Sequence, residues 1–294
     1  MPDISVVVPT YNRIETLRYV LPSLLAQDLP ADRYEVLVCD SNSNDGTAEY
    51  LAAMGAQHPN VRHVAGAYSG RAMARNAGIA QARGQVVLFN DSDIIASPDL
   101  LAQHLRHHEQ QQKIAVVGLE VQVRSLDDYV EKRDHPEKRG ALHPPGRKRL
   151  SWLYFLTGNA SVRRDDLVRV GSFDEDFTGY GHEDLELGYR LQKAGIAILY
   201  EPRAVNYHWQ DVAYEDQVEK MKLAGRSTVR FYRKHPDFAV MANLGMTPVS
   251  LGLHTALTKL PWLLGYFNKR AADSRFARNL VQQYYYVSGI KSAL

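Results

Sequence analysis

Two carboxylates two residues apart, Asp91 and Asp93, stand in Asn90-Asp91-Ser92-Asp93, on which the strand-like run Gln85 to Phe89 directly ends. At the end of a strand, side chains with that spacing can bend toward one point. Like charges so close are costly unless a cation or protons neutralise them. Hard oxygen donors favour Mg²⁺ or Mn²⁺, whose shells are commonly completed by substrate phosphates. His208, in Asn206-Tyr207-His208, is a candidate further ligand, and an imidazole beside carboxylates tilts the choice toward Mn²⁺. A second acidic pair stands in Gly181-His182-Glu183-Asp184-Leu185-Glu186-Leu187. It opens a helical pattern, where negative charge suits the backbone dipole. One carboxylate of that pair, projecting into a site, would serve as general base. Arg71 and Arg75, with Asn76 beside them, bring guanidinium groups suited to phosphate oxygens, and Arg71 opens a helix whose N-terminus itself attracts phosphate. Each feature alone has a plain alternative: a capping turn, helix-start chemistry or a solvated helix face.

The elements that must position these groups alternate over the first hundred residues. Ile4 to Val8 is a β-branched run suited to a strand buried on both faces. Glu15 to Gln27 has helical spacing (Leu17, Val20, Leu21, Leu24, Leu25), with Pro22 inside it as a candidate kink. Tyr34 to Cys39 and Val61 to Ala65 are further strands, and Thr47 caps a helix that follows turn chemistry at Asn42 to Gly46. Arg71 to Ala82 is a small-residue helix, Gln85 to Phe89 a fourth strand, and Ser97-Pro98 a helix start. Such alternation implies a mostly parallel, Rossmann-like sheet flanked by helices. Ligands of open α/β sheets sit at the carboxyl ends of strands. Thr10-Tyr11-Asn12, Asp40, Asp91-Ser92-Asp93 and Asn206-Tyr207-His208 all fall just after expected strands, and that coincidence is harder to dismiss than any one of them.

Beyond residue 100 the character changes. Ile114 to Val123 and Ser151 to Val162 are strand-like, and Asp165 to Val170 is a short helix. Glu183 to Ala194 is a helix that leads into the strand Ile196 to Tyr200. Glu131 to Arg149, rich in Lys, Arg, His, Pro and Gly, is expected to be a mobile loop, with the basic cluster Arg147-Lys148-Arg149 at its end. From Tyr214 onward the pattern is helical, which predicts two domains, 1–212 and 213–294.

Composition narrows the function. The 294 residues are 45% hydrophobic and 23% charged, with 35 basic and 33 acidic side chains and a formal net charge of +2. That balance gives no global reason to bind nucleic acid. The single cysteine, Cys39, excludes an internal disulfide framework and a cysteine-based zinc site. Met1-Pro2-Asp3-Ile4 lacks the basic and apolar regions of a secretory signal, and no window is apolar enough to span a bilayer. A cytoplasmic address is the expectation. There is no Walker-type loop, no GxGxxG and no GxSxG elbow.

The residues also form an ordered series: Ser5-Val6-Val7-Val8-Pro9-Thr10-Tyr11-Asn12-Arg13, Val38-Cys39-Asp40-Ser41 with Asp45-Gly46-Thr47, Ala74-Arg75-Asn76-Ala77-Gly78-Ile79, Phe89-Asn90-Asp91-Ser92-Asp93, Gly181-His182-Glu183-Asp184 and Tyr207-His208-Trp209. Over roughly residues 3 to 212 this series resembles the family 2 glycosyltransferases, which have the GT-A fold. The resemblance implies an inverting transferase that takes a sugar from a nucleotide-sugar, by default a UDP-sugar, to an acceptor hydroxyl of a glycan or lipid-linked glycan. It implies that Pro9, Tyr11 and Asp40 hold the base and ribose, with Arg71, Arg75 and Asn76 beside the nucleotide. It also implies that Asp91-Ser92-Asp93 is the DxD motif: Asp93 binds the divalent metal, Mn²⁺ or Mg²⁺, while Asp91 and Ser92 lie near the ribose, with Asp91 also able to reach the metal. His208 matches a position that often adds a metal ligand. Asp184 matches the catalytic base, with Glu183 and His182 toward the acceptor. Gly158 and Asn159 match a segment near the donor sugar, where Trp152 stacks on a sugar face or packs in the core.

A sugar nucleotidyltransferase is the competing enzyme class, but its Gly-rich basic signature is replaced here by Pro9-Thr10-Tyr11-Asn12-Arg13. A non-catalytic nucleotide-sugar-binding module is the third reading, against which stand the intact Asp93 and Asp184. In the tail, basic residues and interfacial aromatics (Trp262, Tyr266) suit a peripheral contact with an anionic inner membrane face, or packing on the catalytic domain or on a second copy.

Overall fold

The computed structural model describes residues 1–139, 148–210, 214–271 and 273–294. The chain divides into two compact units, Met1–Thr178 with Glu183–Asp211, and Gly179–His182 with Val212–Leu294. Among the described residues, the first unit holds strands β1 (Ile4–Thr10), β2 (Tyr34–Asp40), β3 (Val61–Ala65), β4 (Val86–Phe89), β5 (Ile94–Ala96), β6 (Ile114–Val123), β7 (Arg149–Leu150), β8 (Ala160–Arg163) and β9 (Ala197–Trp209). Its helices are α1 (Ile14–Leu25), α2 (Thr47–Gln57), α3 (Arg71–Gln81), α4 (Leu100–Gln110), α5 (Leu126–Asp134), α6 (Arg164–Arg169) and α7 (Glu183–Lys193).

The strands form one mixed sheet of order β3-β2-β1-β4-β8-β6-β9-β5, with β7 on β9. The half containing β1 to β4 is parallel, whereas β8 runs antiparallel to both β4 and β6. Every residue of β1 and β2 is buried, as expected where helices cover both faces of a parallel sheet. Strand order reverses beside β1, between β2 and β4, which is where such sheets open a crevice at their carboxyl ends. Helix α3 lies tight on this region: a Cβ at Gly78 would sit 2.4 Å from Val7 and 2.9 Å from Cys39. Cys39 itself is buried packing, and burial pushes its thiol up to about 12.

Several local expectations change. The stretch expected to be a loop begins inside α5, which Ser125 caps through the Asp128 amide, with Asp127 and Asp128 in the first turn and Lys132 and Arg133 in the last. That is favourable helix-end chemistry, hidden by the lack of an apolar stripe. A short 3₁₀ turn at Pro136–Lys138 follows, and Arg149 lies in β7; the rest of the expected loop, 140–147, including Arg147 of the basic cluster, lies outside the described residues. Helix α4 starts at Leu100 rather than at Pro98, because β5 continues to Ala96. Gly46, in the left-handed region, rather than Thr47, precedes α2. The region 151–162 is a 3₁₀ turn (Trp152–Tyr154), a connection and β8. Strand β9 runs through Pro202 to Trp209, past a register shift against β6 at Gly118/Leu119. Asn206, Tyr207 and His208 are therefore strand residues, not a loop after a strand.

The second unit contains α8 (Tyr214–Lys234), α9 (Phe238–Asn243), α10 (Pro248–Thr258), α11 (Pro261–Arg270) and α12 (Arg275–Ala293). Helices α8 and α12 approach backbone to backbone: a Cβ at Gly225 would lie 2.0 Å from the Tyr286 carbonyl oxygen, and one at Gly289 would lie 2.1 Å from that of Lys222. Val229, Met246 and Ile290 form a small core between them. No helix among the described residues is long and apolar enough to cross a membrane.

Candidate functional site

The carboxyl ends of β1, β2 and β4 surround a cleft of about 610 Å³, lined by Pro9, Tyr11, Ser41, Asn42, Arg71, Asp91, Ser92 and Asp93 among others. That volume lies in the range of small-molecule sites. Two of its loops are tied together by side chains. Asp40 is buried below the cleft, where it accepts hydrogen bonds from the Ser43 amide (3.1 Å) and hydroxyl (2.5 Å) and faces His63 at 3.3 Å. Ser43 in turn accepts from the Asn12 amide, and Asn12 accepts from the Asn44 amide. Asn12 and Asn42 both adopt left-handed backbone, which asparagine tolerates better than most residues. Tyr11 is 60% exposed at the mouth of the cleft, open for a flat ring to stack on.

The Asp91-Ser92-Asp93 loop is closed from within. The Asn90 amide donates to the carbonyls of Asp91 and Ile94 (3.0 and 2.9 Å), and the Ser92 carbonyl accepts from the Thr16 hydroxyl (2.7 Å). Its two carboxylates meet different partners. Asp91 Oδ1 accepts from Arg75 at 2.8 Å, and the same guanidinium reaches Glu183 Oε1 at 3.3 Å. Arg75 is only 1% exposed. Burial works against its charge, but Asp91, Glu183 and Asp184 outweigh that and raise its pKa. Burial likewise opposes the charge on Asp91, and Arg75 and Arg71 overcome it, holding that carboxyl below its ordinary range.

Asp93 faces His208 instead, with Oδ1 and Nε2 3.6 Å apart. Pairing of β5 with β9 sets this up, since Ile94 stands opposite His208 and the Trp209 amide donates to the Asp93 carbonyl. The other ring nitrogen, Nδ1, lies 2.9 Å from Glu120 Oε1. Burial lowers the imidazole's affinity for a proton, but bonds to Asp93 and Glu120 prevail and raise its pKa to about 10. Glu120 reaches this point past Gly158, where a Cβ would be 2.3 Å from Glu120 Oε2. Nothing in the sequence pattern singled out Glu120; the available signal was a glutamate that, with Gln122, interrupts the mostly apolar β6.

This donor set fits a divalent cation. A carboxylate and an imidazole nitrogen converge, and the second ring nitrogen is held by an outer carboxylate, as metal-bound histidines usually are. Among the described residues no three His, Cys, Asp or Glu side chains enclose a metal by themselves, so such an ion would draw its remaining ligands from water and substrate phosphates.

Asp184 opens α7 beside Glu183, half-buried, with Oδ2 3.5 Å from the Thr157 amide. Burial first, and then the neighbouring Glu183 charge, push its carboxyl up to about 7, against the opposing pull of Arg75. A carboxyl so tuned can accept a proton near neutral pH.

Other residues lie elsewhere than expected. Asn76 turns away from the cleft: its side chain donates to the Phe173 carbonyl and to Glu175, and accepts from the Phe173 amide. Trp152 is buried edge-on against Tyr189, 5.7 Å between ring centres, so it packs in the core and offers no face to a sugar. Asn159 is also buried; it donates to the carbonyls of Leu119 and Ala204 and contacts His104, clamping the bulge between β6 and β9. His182 belongs to the helical unit, with Nε2 2.7 Å from the Thr228 hydroxyl and its ring against Tyr286. Burial lowers its pKa to about 4.

A parallel β3-β2-β1-β4 half-sheet, a cleft at its switch point and an acidic loop at the end of β4 define the GT-A class of fold. Solved structures agree. The mannosyltransferase PcManGT from Pyrobaculum calidifontis, in complex with GDP-Man and Mn²⁺, is similar with a TM-score of 0.68 at 20% identity, over 99% of this chain and 87% of that one. S. aureus TarS 1-349 in complex with UDP is similar with a TM-score of 0.61 at 20% identity, over 100% of this chain and 90% of that one. The family model for glycosyl transferase family 2 matches residues 5–171, and the chain belongs to that family. A model described as the N-terminal domain of galactosyltransferase matches residues 141–208. Among curated relatives, validoxylamine A glucosyltransferase of Streptomyces hygroscopicus subsp. jinggangensis is 31% identical over 81% of this chain and 62% of its own length. The chain spans 62 to 64% of the length of the first curated relatives it matches.

Proposed function

We propose that this chain transfers a glycosyl group from a nucleoside-diphosphate sugar, a UDP-sugar by preference, to a hydroxyl of a glycan or lipid-linked glycan, with inversion at the anomeric carbon. The observation that carries the reading is the Arg75 bridge. It puts the Asp91-Ser92-Asp93 loop, at the floor of the nucleotide cleft, within one guanidinium of the Glu183-Asp184 pair. That proximity supports a reading in which donor site and base are adjacent, as a single displacement requires.

In this reading Pro9 and Tyr11 receive the base, the loop that Asp40 organises receives the ribose, and Arg71 at the start of α3 faces the diphosphate. Asp93 and His208 would hold a divalent ion, Mn²⁺ or Mg²⁺, which supplies positive charge to the departing diphosphate. Asp184 takes the proton of the acceptor hydroxyl while that oxygen bonds to the anomeric carbon from the face opposite the diphosphate. The bond to the diphosphate breaks with its electron pair, so a single displacement inverts the centre and no covalent enzyme intermediate forms. Arg75 keeps Asp91 and Glu183 compensated during this step. Residues 213–294 are assigned to contacts with the acceptor, a membrane surface or a second copy.

The test is calorimetry of UDP and GDP with and without Mn²⁺, followed by transfer assays with the donors that bind. UDP affinity should rise with Mn²⁺ and lose that rise in Asp93→Ala. Unchanged Mn²⁺-dependent affinity in the variant would refute the metal role.

A further inference from the structure

The helical unit leaves an apolar face open. Helices α10 and α11 bury almost nothing: only His254 of α10 is buried, and no residue of α11 is. Their inner sides are accounted for. Leu251 packs on the Val229–Met246–Ile290 core. His254 stacks on Tyr284 of α12 at 4.5 Å, and Phe267 meets Phe276 at 6.0 Å. The outer sides carry Val249 and Leu253 one turn apart on α10, and Trp262 and Tyr266 one turn apart on α11, with Leu260 between the helices. Val249 is 80%, Leu253 62% and Trp262 69% exposed. Isolated exposed apolar residues are ordinary; a cluster of this size marks an interaction surface.

The charge within α10 and α11 and their connection has one sign, with Asp273 following just after α11. From Phe238 to Ala272 the sequence contains no aspartate or glutamate, but it contains Lys259, Lys269 and Arg270. All three are exposed, and the Arg270 guanidinium lies 4.6 Å over the Tyr266 ring. A two-fold contact with a second copy would bring three cations from each side together, with Asp273 as the one acidic residue beside them. An anionic lipid surface answers both features: acyl chains take the apolar side chains, headgroup phosphates take the cations, and tryptophan and tyrosine suit the boundary between them.

We infer that the α10–α11 hairpin is a membrane-docking surface that lies in the interface of an anionic bilayer, with Leu253 and Trp262 inserted and Lys259, Lys269 and Arg270 at the headgroups. This surface stands on the helical unit alone and does not depend on the transferase reading.

The test uses the full chain and vesicles of phosphatidylcholine, with and without phosphatidylglycerol, in co-sedimentation at low and high salt. Binding should require phosphatidylglycerol and weaken about tenfold or more at high salt, where exposed charges are screened. Leu253→Ser with Trp262→Ser, and separately Lys259→Gln with Lys269→Gln and Arg270→Gln, should each reduce binding about tenfold or more. Thermal unfolding and far-ultraviolet circular dichroism should match the parent in both variants, which separates lost docking from lost folding. Absence of phosphatidylglycerol-dependent binding would overturn the inference, as would binding that survives both sets of substitutions. So would light scattering that shows a dimer dissolved by the Leu253 and Trp262 changes, since the face would then be a protein interface.

Discussion

Asp91 and Asp93 share one loop, yet each faces a different kind of cation. Asp91 is paired with Arg75, whose guanidinium keeps its charge at any ordinary pH and has no lone pair to offer a metal. Asp93 is paired with His208, whose imidazole is protonated between two carboxylates and becomes able to ligate a metal on losing that proton. The first pair is a fixed structural charge that extends to Glu183. The second is a carboxylate–imidazole pair, the proposed ligand set, braced from behind by Glu120. Two identical side chains therefore do separate work, and the difference lies in what the rest of the fold brings to each. Arg75 comes from α3, anchored on β1 and β2 by the close approach at Gly78, whereas His208 comes from β9, brought in by its pairing with β5.

The comparison can be broken at either end. The largest effect is expected at the base: Asp184→Asn should lower transfer by about 10² to 10⁴ and leave nucleotide binding intact, seen in steady-state kinetics beside calorimetry. Next is the fixed charge. Arg75→Met strands Asp91 and Glu183 without their cation and should cost about 3 to 5 kcal/mol in denaturant unfolding. Arg75→Lys should recover part of this, since an ammonium keeps the charge without the planar fork. At the ligand end, Glu120→Gln should weaken Mn²⁺ affinity about 10- to 100-fold in direct titration, with the fold unchanged in circular dichroism. If Arg75→Met and Glu120→Gln both altered only Mn²⁺ affinity, the two clusters would be one metal site and the division would fail.

The smallest effect is on pH. In the proposed mechanism transfer requires ionised Asp184, so kcat/KM should fall as pH drops through about 7. Glu183→Gln removes the neighbouring negative charge and should move that limb to lower pH, by about one pH unit or less. Stability runs the other way. Between the ordinary carboxyl value of 3.8 and about 7, the folded chain holds a proton on Asp184 that the unfolded chain has released. That group's contribution to stability therefore declines as pH rises through this window.

Much of the fold was legible because β1, β2 and β4 declare themselves as short, mostly apolar runs ending in turn chemistry. The acidic loop was legible for the same reason: it sits where a strand stops. Arg75, expected beside the nucleotide, is buried instead. It lies on the stripe Ala72, Arg75, Ile79, the inward face of α3, so its helical spacing already placed it in the interior. Glu120 was not legible, since a polar residue in a strand ordinarily marks a solvated face and only the passage over Gly158 reveals otherwise. The buried set of His104, His108, Asn159 and Ser161 was equally silent, because residues from three elements acquire their partners only when α4, β8 and the segment before β8 assemble.

The glycine contacts between α8 and α12 set the tolerance of the helical unit. With Gly225 against the Tyr286 carbonyl and Gly289 against that of Lys222, the two helices are keyed at two points 64 residues apart in sequence but adjacent in space. A slide of one residue would drive a side chain into backbone at both keys, so the pair has a single permitted height. Helices α10 and α11, which join α9 to α12, are hung from that fixed post. Alanine at either glycine would thus tilt the hairpin without touching any of its residues.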